Sequence, residues 1–112
     1  MAIAVVTTDT TTVTTGSECT LTTQSTAAVY TLHVNMSQMT STDVTELRVY
    51  QMITAGSTAK VAYYMPFYGA QPTDDTIKIS VPVANAVASG LQFTIKQTFG
   101  TARAYPWYVL SY

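Results

Sequence analysis

His33 is the only histidine and Cys19 the only cysteine in the 112 residues, so the catalytic repertoire is narrow from the start. A Ser-His-Asp triad would have to use His33 as its base, and no G-x-S-x-G turn presents a serine to it. A zinc centre needs three or four N, S or O ligands, which one His and one Cys do not supply. A lone cysteine forms no intrachain disulfide, which fits a reducing cytosol. Beside Glu18 it lacks the positive surroundings that make a thiolate, so Cys19 reads as a small packing residue. His33 lies in a strand-like run, where a structural or exposed imidazole is the ordinary reading.

The carboxylates are Asp9, Glu18, Asp43, Glu46, Asp74 and Asp75. Glycoside hydrolysis would need two of them facing one bond. Most sit in or beside turn-like segments, and neighbouring Asp74 and Asp75 would point apart on a strand, so turn formation is the simpler role. No D-x-D-x-D-G calcium loop and no glycine-rich phosphate loop is present. The chain is therefore read as a non-enzyme with no catalytic residue, no metal site and no cofactor.

Aromatic residues are the remaining chemistry. Tyr63, Tyr64, Phe67 and Tyr68 cluster in one segment, and Tyr105, Trp107, Tyr108 and Tyr112 in another. Rings that bind single-stranded nucleic acid are interleaved with Lys and Arg. Here only Lys60 and Arg103 lie nearby, so nucleic acid is not expected as a partner. Two uses remain open. Exposed rings can stack on sugars, or Tyr and Trp can anchor a protein interface whose centre is poor in charge. Tyr64, Tyr68, Tyr105, Trp107 and Tyr108 are the candidate interface aromatics.

The elements that must position these residues are strands. Charged residues make up 10% of the chain and hydrophobic residues 47%, with 22 threonines and 8 tyrosines. Low charge and high hydropathy exclude disorder, and the scarcity of Glu, Lys and Leu excludes a helical bundle. Five basic residues against six acidic give a net charge of −1, without the basic excess of a nucleic-acid binder. No apolar run approaches the ~18 residues of a membrane helix, so no membrane partner is expected. The opening Met1–Val6 has no basic flank and reads as part of the mature protein.

Period-two alternation recurs along the chain. Tyr30, Leu32, Val34 and Met36 share one face of a strand over 28–36. Leu47, Val49 and Ile53 share one over 44–54, before a hairpin turn at Ala55-Gly56-Ser57. The partner strand, 58–68, contains Pro66, which requires an edge or a bulge. Ile77, Ile79, Val81 and Val83 alternate with Lys78, Ser80 and Pro82, which puts the four apolar residues on one face. A connection over 84–90 has room for one helical turn. Leu91, Phe93, Ile95 and Phe99 face one way, then Gly100-Thr101 turns into a closing strand carrying Tyr105, Trp107 and Val109. Residues 1–20 form a Thr-rich N-terminal arm or edge strand, and 21–112 a single domain. Seven or eight short strands with turns about every ten residues predict an all-β, antiparallel, jelly-roll-like β-sandwich.

Three phrases carry a family resemblance: Asp43-Val44-Thr45-Glu46-Leu47-Arg48-Val49-Tyr50, Ala55-Gly56-Ser57-Thr58-Ala59-Lys60-Val61-Ala62-Tyr63-Tyr64, and the run from Ile95 through Lys96-Gln97-Thr98-Phe99-Gly100-Thr101-Ala102-Arg103 to Trp107. With them the chain from about Leu21 resembles small virion proteins of tailed bacteriophages, of the head decoration or capsid cement type. The motifs are strand–turn–strand phrases with no catalytic residue to transfer. The resemblance implies a homotrimer made in the host bacterial cytoplasm. It would bind the major capsid protein between capsomers on the outer head surface. A carbohydrate- or receptor-binding sandwich, associated with a tail or tail fibre, is the alternative.

Overall fold

The computed structural model describes residues 3–86 and 90–112. They form nine strands: β1 (Ala4–Val13), β2 (Glu18–Gln24), β3 (Ala28–Asn35), β4 (Val44–Gln51), β5 (Lys60–Tyr68), β6 (Ile77–Ile79), β7 (Val83–Asn85), β8 (Leu91–Phe99) and β9 (Arg103–Ser111). All pairings are antiparallel. Sheet A runs β1-β9-β3-β6, with β7 also on β3, and sheet B runs β2-β8-β4-β5. The chain changes sheet at nearly every connection. Because β6 and β7 both pair with β3 and act as one interrupted strand, the nine strands fill eight positions, the double Greek key of a jelly roll.

The alternation read from the sequence places most of the core. Tyr30, Leu32, Val34 and Met36 from β3 and its C-terminal extension meet Leu47 and Val49 of β4, Leu91, Phe93 and Ile95 of β8, and Tyr105, Trp107 and Val109 of β9. These form one cluster between the sheets. The slab is 19 Å along its shortest axis, as two sheets stacked about 10 Å apart with side chains outside require. Pro66 sits on β5, an edge of sheet B, where a missing N–H breaks no interior ladder.

Three expectations are corrected. Ile53 is exposed because β4 ends at Gln51 and the chain has already turned away. Phe99 is exposed because the β4–β8 register slips between Val44 and Thr45, so Thr98 is extra and the alternation resets. Ile77, Ile79 and Val81 face solvent, while Ser80 points inward. The cause is a polar lock: the Leu32 N–H donates to Ser80 Oγ at 2.9 Å, and the Ser80 N–H donates back to the Leu32 carbonyl at 2.9 Å. The strand breaks after Ile79, and Val83 re-enters the core on β7. The connection expected over 84–90 is strand at its start, since β7 runs to Asn85, and residues 87–89 lie outside the described residues.

The Thr-rich stretch is an edge strand and not an arm. β1 pairs with β9 from Ala4↔Ser111 to Val13↔Arg103, and Val13 is fully buried. The expected boundary at residue 20 falls inside β2, so the stretch is integral to the sandwich.

Candidate functional site

Sheet A carries on its outer face an open groove of about 490 Å³. Four strands build it in register. Thr8 of β1 stands opposite Tyr108 of β9, Tyr108 opposite His33 of β3, and His33 opposite Ile79 of β6. One step along, Thr10 is opposite Pro106 and Asn35 opposite Ile77. Side chains of alternate residues project from a sheet on the same side, so this pairing alone gathers rings, hydroxyls and an amide on one surface.

The floor is aromatic. The rings of His33 and Tyr108 lie with centroids 4.7 Å apart, tilted by 35°. Tyr108 remains 39% exposed, whereas His33 is half-buried and has Nε2 3.2 Å from Thr31 Oγ1. Burial lowers the His33 pKa below its ordinary value, so the imidazole is neutral at pH 7. Ile77 and Pro106 supply apolar wall, while the side chain of Trp107, between Pro106 and Tyr108 on β9, points the other way into the core. Its indole Nε1 donates to Thr11 Oγ1 at 2.9 Å. At the rim, Asn35 Oδ1 accepts the Ser37 N–H at 3.0 Å; Asp9 stands opposite inward-facing Trp107, so its side chain leaves on the other face, where Oδ1 accepts the Thr10 N–H at 2.8 Å. Among the described residues, the side chains that the register turns into the groove include no Asp, Glu, Lys or Arg.

Sheet B presents a different face. Tyr64 donates to Glu46 Oε2 at 2.6 Å, Arg48 pairs with Glu46 at 2.9 Å, and the Arg48 guanidinium lies over the Tyr64 ring at 4.8 Å. Thr94 donates to Glu18 Oε2 at 2.6 Å. Burial pushes the Glu18 carboxyl up, but hydrogen bonds from Thr94 and Tyr50 and the charges of Arg48 and Lys96 hold it below the usual range. Glu18 and Glu46 both stand opposite Lys96, with β8 between them. On this face Glu46 is paired with Arg48, and the charges of Arg48 and Lys96 act on Glu18.

The candidate aromatics divide accordingly. Tyr64, Tyr68 and Tyr108 are exposed and can meet a partner. Tyr105 and Trp107 cannot, which corrects their place among the interface residues: they are 0% and 5% exposed and belong to the core. They face inward because β9 is an interior strand of sheet A, covered by sheet B on that side. Tyr68 is on β5 and Tyr108 on the opposite sheet, so the exposed rings form no single patch.

Asp43 is not a simple turn residue. Fully buried, it accepts from the Thr40 N–H at 2.8 Å, the Thr101 N–H at 3.2 Å, Gln97 Nε2 at 3.3 Å and Arg103 Nε at 2.9 Å. Gln97 also donates to the Phe99 and Thr101 carbonyls, and its Oε1 accepts from Tyr105 at 3.2 Å. The polar residues of the Asp43-headed and Lys96–Arg103 phrases thus meet in one network. It pins the loop before β4 to the β8–β9 hairpin. Asp75 shows the turn role instead, its N–H donating to the Pro72 carbonyl at 2.8 Å and its carboxylate pairing with Lys78 at 3.3 Å.

Among the described residues no group of three or more His, Cys, Asp or Glu is placed to hold a metal ion. No protein-family model matches the chain, and no curated protein matches it. The groove was missed in the sequence because its parts come from four strands, two of them at opposite ends of the chain. The Thr8–Thr10 run carries no hydrophobic signal of its own. Only the β1–β9 register shows that it stands beside Tyr108.

Proposed function

We propose that this protein is a non-catalytic structural component of a virus particle, a decoration or cement protein of a tailed-phage head. In this reading it is made in the host cytoplasm, assembles as a homotrimer, and seats on the major capsid protein between capsomers. The resemblance of its three strand–turn–strand phrases supplies the virion and the threefold symmetry.

One structural observation carries the assembly role. Exposed large apolar side chains concentrate on edge strands: Val5 and Val6 on β1, Val61, Met65, Tyr64 and Tyr68 on β5, and Ile77 and Ile79 on β6. Edge strands also present unpaired backbone groups, and soluble proteins ordinarily blunt them with charge. Here β1 spends ten residues on one charge, Asp9. Edges that are apolar and open are suited to pairing with another copy or another protein. Two different edges meeting head to tail close into a ring.

The test is addition of the purified protein to capsids that lack it, followed by heating. A raised capsid melting temperature, with saturation at a copy number in simple ratio to the capsid subunit, is the expected result. Absence of binding, or saturation at only a few copies per particle, would overturn the head assignment.

A second reading, a carbohydrate- or receptor-binding module, is favoured by the groove on sheet A. The two readings are compatible, since the groove lies on the outer face of sheet A and leaves the β5 edge of sheet B free.

A further inference from the structure

Resting on the homotrimer reading, we infer that copies of this chain join head to tail through two opposite flanks of the sandwich. The β1–β2 flank of one copy meets the β5–β6 flank of the next, with Asp9 facing Lys78.

The flanks follow from the way the sheets stack. β1 and β6 are the edges of sheet A, and β2 and β5 those of sheet B. β1 packs on β2, and the Lys78 ammonium of β6 lies 5.5 Å from the Phe67 ring centroid of β5. Each flank is therefore a pair of edge strands, one from each sheet. Each sheet has four positions and every pairing is antiparallel, so its two edges run in opposite directions. A rotation about an axis along the strands keeps those directions. It brings β6 beside β1 and β5 beside β2 in the antiparallel sense that both sheets already use.

Charge gives the flanks opposite signs. The strands of the first carry Asp9 and Glu18 and no Lys or Arg, and those of the second carry Lys60 and Lys78 and no Asp or Glu. Register gives them a common height. Asp9 stands opposite Trp107, Trp107 opposite Val34, and Val34 opposite Lys78, so the carboxylate and the ammonium end one row across sheet A. Alternation puts both on the core side of that sheet. Rotation about an axis along the strands moves no atom along it, so Asp9 of one copy arrives level with Lys78 of the next. Among the described residues Asp9 has no ion-pair partner in its own copy. Lys78 pairs with exposed Asp75 at 3.3 Å, which leaves N–H donors of the ammonium for a second carboxylate. With 11% of its side chain exposed, Lys78 is held in place before a partner arrives.

Apolar side chains frame the pair on both flanks. Val5 and Val6 are exposed on β1, Ile77 and Ile79 on β6, and Val61 and Met65 on β5. Their burial supplies area, while the charges fix which flank meets which. The first flank against its own kind would set Asp9 and Glu18 beside the same acids of the second copy, and like charges reject that arrangement. A surface that fits a different surface on an identical copy makes a heterologous contact, and three of them close a ring.

Sedimentation velocity on the full chain at micromolar concentration reads the assembly, and the parent should be a trimer. Val6, Asp9 and Ile79 are exposed, so variants there should keep the parent melting temperature. Asp9→Lys, which sets a lysine against Lys78, should weaken self-association about tenfold or more, and Asp9→Asn should weaken it less. Val6→Lys blocks one flank and Ile79→Lys the other, and each alone should sediment as a monomer. Mixed one to one they should form a heterodimer and grow no further. One intact flank of each kind remains to pair, and both blocked flanks carry the added lysine. With the parent a trimer, a mixture that stays monomeric, or an Ile79→Lys protein that still forms the parent assembly, would overturn the head-to-tail contact. An Asp9→Lys trimer as tight as the parent would overturn the pairing of Asp9 with Lys78. Each of these results leaves the homotrimer reading standing. A parent that is monomeric at every concentration would overturn that reading and the inference together.

Discussion

Arg103 Nε donates to the Asp43 carboxylate at 2.9 Å, joining two residues 60 positions apart in the chain. Asp43 is fully buried, and Arg103 retains 27% of its side-chain exposure. Removing one partner of a buried pair leaves the other charge uncompensated, and that typically costs about 3–5 kcal/mol. Asp43→Ala should reach that range, because it also strands the Thr40 and Thr101 N–H groups and Gln97 Nε2. Arg103→Met should cost less, since those donors still face the carboxylate. Urea unfolding midpoints give the order, and an Asp43→Ala protein as stable as the parent would refute the network's role.

Gly100 tests the same corner through the backbone. Its φ is +97°, and a Cβ there would stand 2.0 Å from Asp43 Oδ1 and 2.9 Å from Asp43 Cα. Gly56 has φ +80° with nothing within 4 Å. Both should lose about 1–3 kcal/mol to left-handed backbone strain when changed to Ala. Only Gly100→Ala should also displace Asp43, so its loss of melting temperature should clearly exceed that of Gly56→Ala. Equal losses would mean that the Asp43 loop moves aside at no cost.

Trp107 is core, with its indole N–H held by Thr11. Trp107→Ala should destabilise the isolated chain by about 3–5 kcal/mol, and the loss should be present before any assembly. Thermal melts at dilution check this. Destabilisation appearing only in the assembled state would return Trp107 to an interface.

Acid should weaken the fold in two stages. His33 has its pKa lowered by burial, so the unfolded chain takes up the proton first. Its contribution is complete above about pH 6.5 and is lost as pH falls through the folded-state value. For Asp43, burial raises the pKa, but hydrogen bonds from Thr40, Arg103 and Thr101 and the Arg103 charge bring it below the ordinary value. Its contribution is complete above about pH 4 and is lost on further acidification. Denaturant midpoints against pH should show both limbs, and His33→Gln should flatten only the first.

Apolar edges make a prediction about association. Val6→Lys on β1 and Ile79→Lys on β6 should leave the melting temperature of the dilute chain nearly unchanged, since both side chains are exposed. Each should shift sedimentation toward the monomer if these edges pair. An unaltered oligomer in both variants would move the interface elsewhere.

Some of this was legible in the residues alone. Two-residue alternation in 28–36, 91–95 and 105–109 marked the inward faces, because one face of a sandwich strand must be apolar and the period of a strand is two. Pro66 announced an edge or a bulge, and β5 is an edge; Gly100 announced the last turn, which it makes at a φ of +97°. The exposed isoleucines of β6 were not legible, because their alternation with Lys78 and Ser80 has the same period as that of an inward-facing strand. Ser80 decided that by locking onto the Leu32 backbone.

The chain by itself determined that it is a β-sandwich with Tyr30, Leu32, Val34, Phe93, Ile95 and Val109 inside, since these choices depend on local propensity and period. Tertiary structure alone decided which strands are neighbours. The pairing of β1 with β9 joins residues about a hundred positions apart, and no local signal encodes a register over that distance. From that register come both the groove beneath Tyr108 and the neighbourhood of Asp9. A register shift of one residue would send each of those side chains to the opposite face.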